Sequence, residues 1–465
     1  MKILLFIFSK KWLAPPYWIA ALIFGIHQIF SANGLHCFRM DYYMQIVQTN
    51  FDKGTPFWEM LYHFHGNPPL LSIIHHIAQS LLGFKAYAFF DILLPGLHAG
   101  SFLIFRAALG RFSIRVPLIV QCLIFLNPLI FIYFRYPFYS SFLFFLNTFL
   151  LYCFAVYRKN QSVIFLIAAI FSVESLLRTS YSPILLSLLS VWLLQGFSLR
   201  KLCWICLLFI LPFAWQFKNY LLVGKFTSST WVGMNLARGH LPWNVHPNTI
   251  DFVPTFSMPD RYFEILHDEP RVRSCMGEKN YYLSQNNLNH RVMPVLSDLY
   301  LESMKESFSF SWSANTVLNG FLILFKSPAN YEHLLRHISM EYKCKIEGWK
   351  PDIWEPFGLK DRDYMYLFFV DSAWDPAGTR WEAWKRLSIY TFLYTFLLVY
   401  FGWNFRKLEK SEKVIYGMTL FFTLVYITAD VMEANRMRME YEVFFYFLTV
   451  KFLWGRKKGS EVTVS

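Results

Sequence analysis

The sequence predicts an all-α, polytopic membrane protein, with about ten transmembrane helices and a mixed loop domain on one face. Three observations predict it. The 465 residues are 55% hydrophobic and only 16% charged, well under the roughly 25% charged share of a soluble domain. Apolar runs near the membrane-crossing length recur at about 15–33, 86–105, 116–133, 137–157, 162–178, 182–198, 203–217, 387–403, 414–430 and 442–454. Short basic loops alternate with them: Lys2, Lys10 and Lys11; Arg106, Arg111 and Arg115; Arg158 and Lys159; Arg200 and Lys201; Arg406, Lys407, Lys410 and Lys413; and Arg456 to Lys458. With ten spans every one of these clusters falls on one side, which the positive-inside rule makes the cytoplasm.

In order, Pro15-Pro16 opens the first run, and no small-residue cleavage site follows it, so it reads as a retained anchor rather than a signal peptide. The chain divides into an N-terminal transmembrane module, 1–217, with a first outer loop at 34–85; an extracytoplasmic loop domain, 218–386; and C-terminal helices with a cytoplasmic tail, 387–465. In the first outer loop, Asp41-Tyr42-Tyr43 stands just beyond the first run and His65-Gly66-Asn67-Pro68-Pro69-Leu70 turns the chain, because a Pro-Pro corner forbids a continuous helix. The following Leu70–Leu82 has helical apolar spacing with His75, His76 and Gln79 on its polar side, as expected of a helix lying in the interface. Val317–Phe325 is too short to span and is expected against the membrane surface. Residues 240–310 are rich in Asn, His, Pro and Asp, as a folded outer domain would be.

The net charge of +13 is accounted for by the cytoplasmic loops and gives no case for nucleic-acid binding. Of seven cysteines, Cys122, Cys153, Cys203 and Cys206 fall in spans, and the Cys203/Cys206 CxxC reads as packing rather than redox chemistry. Cys37, Cys275 and Cys344 face outward, where one disulfide of unassigned pairing would be stable.

Ionisable groups gather at the outer ends of the spans: Asp41, Arg178, Lys218, Glu433, Arg436 and Arg438. Charged groups at membrane depth need partners, and arginine forks suit a phosphate. Snorkelling to headgroups is the alternative. Asn67 and Asn235 carry amides suited to sugar hydroxyls or to capping turns. His63, His65, His75 and His76 leave a divalent metal open as an alternative, but no cofactor is required and no metal ligand set is assigned.

Taken together, these motifs resemble the GT-C superfamily of integral-membrane glycosyltransferases, in the branch of protein O-mannosyltransferases and lipid A aminoarabinose transferases. The likeness rests on the early acid Asp41 followed by Pro68-Pro69-Leu70; on Lys218-Asn219-Tyr220 with Gly224, similar to Arg-Asn-Tyr-x-x-x-Gly; on Gly233-Met234-Asn235-Leu236, similar to Gly-x-Asn-Leu; and on Glu433 to Arg438, similar to Glu-x-x-Arg-x-Arg. Two departures stand beside it. Tyr42 follows Asp41 where the branch has a second acid, and Pro137-Phe138-Tyr139 stands where another acid is common.

The resemblance implies an inverting transfer of sugar from a polyprenyl-phosphate donor to a glycan, lipid or protein acceptor on the non-cytoplasmic face. Asp41 would be the general base; Asn67, Arg178, Lys218, Asn235, Glu433, Arg436 and Arg438 would bind substrate. The membrane would be the plasma or inner membrane in a bacterium and the endoplasmic reticulum in a eukaryote. A transporter or flippase of lipid-linked saccharide, which should show repeated halves and discontinuous spans, and a non-catalytic membrane scaffold are the rival classes.

Overall fold

A computed structural model describes residues 15–32, 56–134, 139–194, 198–230, 232–233, 236, 293–306, 310–325, 389–429 and 434–455. The described residues are 85% helical, with no strand among them. The helices are α1 Pro15–Ala32, α2 Phe57–His63, α3 Leu70–Leu82, α4 Ala86–Arg111, α5 Leu118–Phe125, α6 Pro128–Tyr133, α7 Tyr139–Tyr157, α8 Ile164–Leu177, α9 Pro183–Leu193, α10 Leu199–Leu208, α11 Ile210–Val223, α12 Met293–Glu306, α13 Phe310–Phe325, α14 Ile389–Trp403, α15 Lys410–Ala429 and α16 Ala434–Trp454.

Helix stands at each of the ten places marked by the apolar runs. Among the described residues, two stretches are long and apolar enough to cross a membrane, Ala88–Arg111 and Tyr139–Tyr157, and a third is if α10 and α11 form one bent span. The other places hold shorter or more polar helices. Large apolar side chains such as Trp18, Leu22, Leu123, Leu188, Leu211 and Trp403 lie exposed on the outside of the bundle, a surface suited to lipid rather than water.

Proline sets where the helices start and break. Pro128 and Pro183 open α6 and α9, the first-turn position where a missing N–H costs nothing. Inside a helix, proline orphans the carbonyl four residues back, and twice a neighbouring helix fills the gap. Pro95 in α4 leaves the Asp91 carbonyl to the Gln28 amide of α1 at 3.0 Å. Pro212 in α11 leaves the Leu208 carbonyl to the Ser172 hydroxyl of α8 at 2.7 Å. At that second break the chain bends by 57°. Satisfying freed carbonyls from adjacent helices is how apolar bundles tolerate proline.

The core is built around α7, which packs against α4 and α16. Its buried face runs through Leu143, Phe144, Leu150, Leu151 and Phe154. Edge-to-face ring pairs, Phe102 with Phe125 and Phe134 with Phe144, each 5.6 Å between centroids, knit the neighbouring helices in the geometry that aromatic quadrupoles favour.

The helix ends sort into two sets by their contacts. On one set Arg158 pairs with Glu409 and Lys451 with Glu412, while Lys410 stands 4.9 Å over the Trp192 ring. All these residues belong to ends that the charge pattern assigns to the cytoplasm. The other set holds Ser180, 2.8 Å from the Tyr426 hydroxyl, and Arg178 with Glu440.

Three expectations are corrected by packing. His75 is fully buried and stacked on Phe90 at 5.2 Å, so α3 turns one of its histidines inward instead of presenting all of them on a polar side. Residues 310–325 form a 16-residue helix, longer than the Val317–Phe325 run, that packs against α14, α15 and α16. Cys203 and Cys206 are exposed and free, because α10 buries only Ile205. Cys37, Cys275 and Cys344 lie outside the described residues, as does most of the predicted loop domain.

Candidate functional site

The first-loop corner is held by a segment about 160 residues further on. α11 ends at Gly224, whose φ of +71° supplies the left-handed turn that caps it, its N–H reaching the Tyr220 carbonyl at 2.9 Å; glycine adopts that conformation without a Cβ clash. The chain that follows runs back along the corner. Three successive corner carbonyls are taken in turn. The Lys218 ammonium donates to Phe64 O, the Thr230 N–H to His65 O at 3.0 Å, and the Ser229 hydroxyl to Gly66 O. Prolines at 68 and 69 have no N–H, so this corner is gripped through its acceptors. The His65 ring also meets the Thr230 hydroxyl at 2.8 Å.

Lys218 itself lies 3.4 Å from the centroid of the Trp215 ring, a cation–π contact. Gln216 and Asn219 brace the returning chain by donating to Ser228 Oγ at 2.9 Å and Thr227 O at 2.8 Å. The sequence motifs around 224–233 also bind α12: Lys225 pairs with Asp298 at 2.5 Å and the Gly233 N–H donates to Ser297 Oγ at 3.0 Å.

The second group lies at the end of α8. Arg178 follows its last helical residue; its Nε is 3.5 Å from Glu440 and its guanidinium lies 4.1 Å from the centroid of the Tyr139 ring. Glu440 is fully buried while the Arg178 side chain keeps 14% exposure. The Tyr426 hydroxyl donates to the other carboxylate oxygen at 2.5 Å and Ser140 donates to the first at 3.4 Å. Because the tyrosine has one proton and gives it to Glu440, Ser180 is the donor in its 2.8 Å contact with Tyr426. The Asn147 amide bridges the Tyr181 hydroxyl and the Glu440 carbonyl, both at 2.7 Å. α8 packs against both α3 and α11, the helices adjoining the corner and carrying Lys218, so the two groups share a helix.

The predicted site residues therefore separate. Lys218 and the corner containing half-buried Asn67 come together; Arg178 joins a network in α16. Arg438 goes elsewhere. It is a residue of α16, not of a turn, and is sealed in the bundle: its Nε meets Glu442 at 2.7 Å, it donates to Leu324 O at 2.7 Å, and the Glu442 carboxylate also accepts from Tyr394 at 2.5 Å. Arg436 is helical, and its side chain lies outside the described residues. Asp41, Asn235 and Glu433 also lie outside them. The histidines do not share one centre: His65 meets Thr230, His75 meets Phe90, and the His76 ring stacks on Phe57 at 3.7 Å, where desolvation lowers its pKa below the ordinary imidazole value.

Sequence reasoning missed Glu174 and Glu442 and gave Glu440 no role. Their signal was available: an acid in an apolar run is costly and marks either a partner or a function. Glu174 sits fully buried near the end of α8, and neither carboxyl oxygen has a hydrogen-bond partner among the described residues. No family model matches the chain, and no curated protein and no solved structure matches it.

Proposed function

We propose that this protein is a GT-C-type inverting glycosyltransferase, moving a sugar from a polyprenyl-phosphate donor to a glycan, lipid or protein acceptor at the non-cytoplasmic face of a membrane. The observation that carries the reading is the union of the corner 64–70 with the stretch 218–230. These are two of the segments on which the sequence resemblance rests, and nothing in their spacing requires them to meet. The two-sided sorting of helix ends supports a multi-pass arrangement with this union on the outer side.

In this reading Asp41 takes the proton of the acceptor hydroxyl as its oxygen attacks the anomeric carbon. The carbon–oxygen bond to phosphate breaks on the opposite face, and the departing polyprenyl phosphate gains charge. Arg178, partly exposed beside a carboxylate that orients it, is the cation placed to meet that charge. Lys218 organises the corner. Arg438 is assigned to the scaffold, since its donors are spent inside the bundle.

A carrier of lipid-linked saccharide would share one feature, the bent α10–α11 pair. Pro212 accounts for that bend, and Ser172 occupies the freed carbonyl. The deciding experiment is Asp41→Asn in the purified protein with a polyprenyl-phosphate sugar. Loss of a general base predicts a fall in transfer rate of about 10²–10⁴-fold with donor binding retained. Transfer at the wild-type rate would remove Asp41 from the chemistry, and donor translocation without any transfer would favour the carrier.

A further inference from the structure

Arg178 has a long, flexible side chain at the end of a helix, and a guanidinium is useful to a phosphate only when its fork is aimed. The bundle supplies that aim from three other helices. Tyr139 of α7 lies under the guanidinium, at 4.1 Å. Glu440 of α16 faces its Nε edge, at 3.5 Å. Glu440 is itself held by Tyr426 of α15 at 2.5 Å and by Ser140 of α7 at 3.4 Å, and its backbone carbonyl is held by Asn147. Ser180 then ties Tyr426 back to the turn that carries Arg178. The contacts close a ring: Arg178 to Glu440, to Tyr426, to Ser180, and through two residues of backbone to Arg178 again. A face and an edge fix a plane, so the direction in which the guanidinium points is set by the carboxylate.

We infer that Glu440 is the positioning residue for Arg178, so that the last helix completes the donor-phosphate site built by the N-terminal module. The inference rests on the reading of Arg178 as the cation that meets the donor. It assigns α16 two separate tasks two residues apart: Arg438 and Glu442 fasten α13 and α14, while Glu440 orients a residue at the rim. A pair present for cohesion alone would not need its carboxylate pinned by two hydroxyls, one of them anchored beside the arginine.

The test is binding of a polyprenyl monophosphate to the full chain in lipid nanodiscs, with the thermal unfolding midpoint recorded for each variant. Arg178→Ala and Glu440→Gln are each expected to weaken binding about tenfold, the weight of one charge-assisted contact. The double variant should bind no more weakly than Arg178→Ala alone, and Glu440→Asp should restore most of the loss. If Glu440→Gln does not fold, Tyr426→Phe serves instead, since it loosens the carboxylate and leaves its charge. It should weaken binding in the wild-type background and change nothing beside Arg178→Ala. Weaker binding in Arg178→Ala with none in the Glu440 or Tyr426 variants, or losses that add in the double variants, would overturn the positioning role. Unchanged binding in Arg178→Ala would instead overturn the reading of Arg178 on which it stands.

Discussion

Two arginine–glutamate pairs use the same helix and differ in almost every other respect. Arg438 and Glu442 lie one turn apart on α16, at 2.7 Å, with side chains 2% and 5% exposed. Arg178 and Glu440 come from different halves of the chain, stand 3.5 Å apart, and leave the arginine 14% exposed. The first pair is closed on itself and on Tyr394 and Leu324. The second seals the glutamate on every side and leaves the arginine at the edge of the bundle. Arginine count in a motif therefore says little about function; how deeply each guanidinium is buried says more.

The largest expected effect breaks the sealed pair. Arg438→Ala leaves Glu442 as a buried charge facing Tyr394 and should cost about 3–5 kcal/mol of stability, whereas Arg438→Met with Glu442→Leu should recover most of it. Chemical denaturation in detergent reads both. By contrast Arg178→Ala leaves the buried Glu440 carboxylate still held by the Tyr426 and Ser140 hydroxyls and should cost less, about 1–3 kcal/mol. Equal losses at the two sites would dissolve the distinction between fastening and function.

A smaller effect sharpens the role of the third cation. Lys218→Met keeps the side-chain bulk but removes the bond to Phe64 O and the contact with Trp215, and should cost about 1–2 kcal/mol. The loss should be local: faster amide hydrogen exchange at Thr230, whose N–H holds His65 O, with the exchange of α7 unchanged. Exchange that rises evenly across the bundle would mean that Lys218 supports the fold as a whole rather than the corner.

Much of the helical layout was legible because apolar runs and basic loops are local signals, and a helix stands within each marked run. The corner and the stretch after residue 217 were each legible as a likeness to a motif, but their pairing was not. What sequence could not supply were the contacts between residues far apart. Glu440 and Arg178 are separated by most of the chain, and their meeting depends on α16 packing against α7. Helical apolar spacing puts His75 on the polar side of α3; packing on Phe90 outweighs that spacing. The sequence puts Arg438 at the outer end of a span, yet α16 begins at Ala434 and carries it inward. The bend at Pro212 was visible as a proline within an apolar run, but Ser172 as its compensation was not.

The central claim is that a lipid-linked phosphate sits where Arg178 and the 64–70 corner share one end of the bundle. A polyprenyl phosphate bearing a photoreactive group next to the phosphate, irradiated with the protein in nanodiscs and mapped by mass spectrometry, tests it most directly. Label is expected within 64–70 or 178–182 and should be abolished by excess unlabelled polyprenyl phosphate. Label concentrated instead around Arg158 and Glu409, or label that excess lipid does not displace, would contradict it.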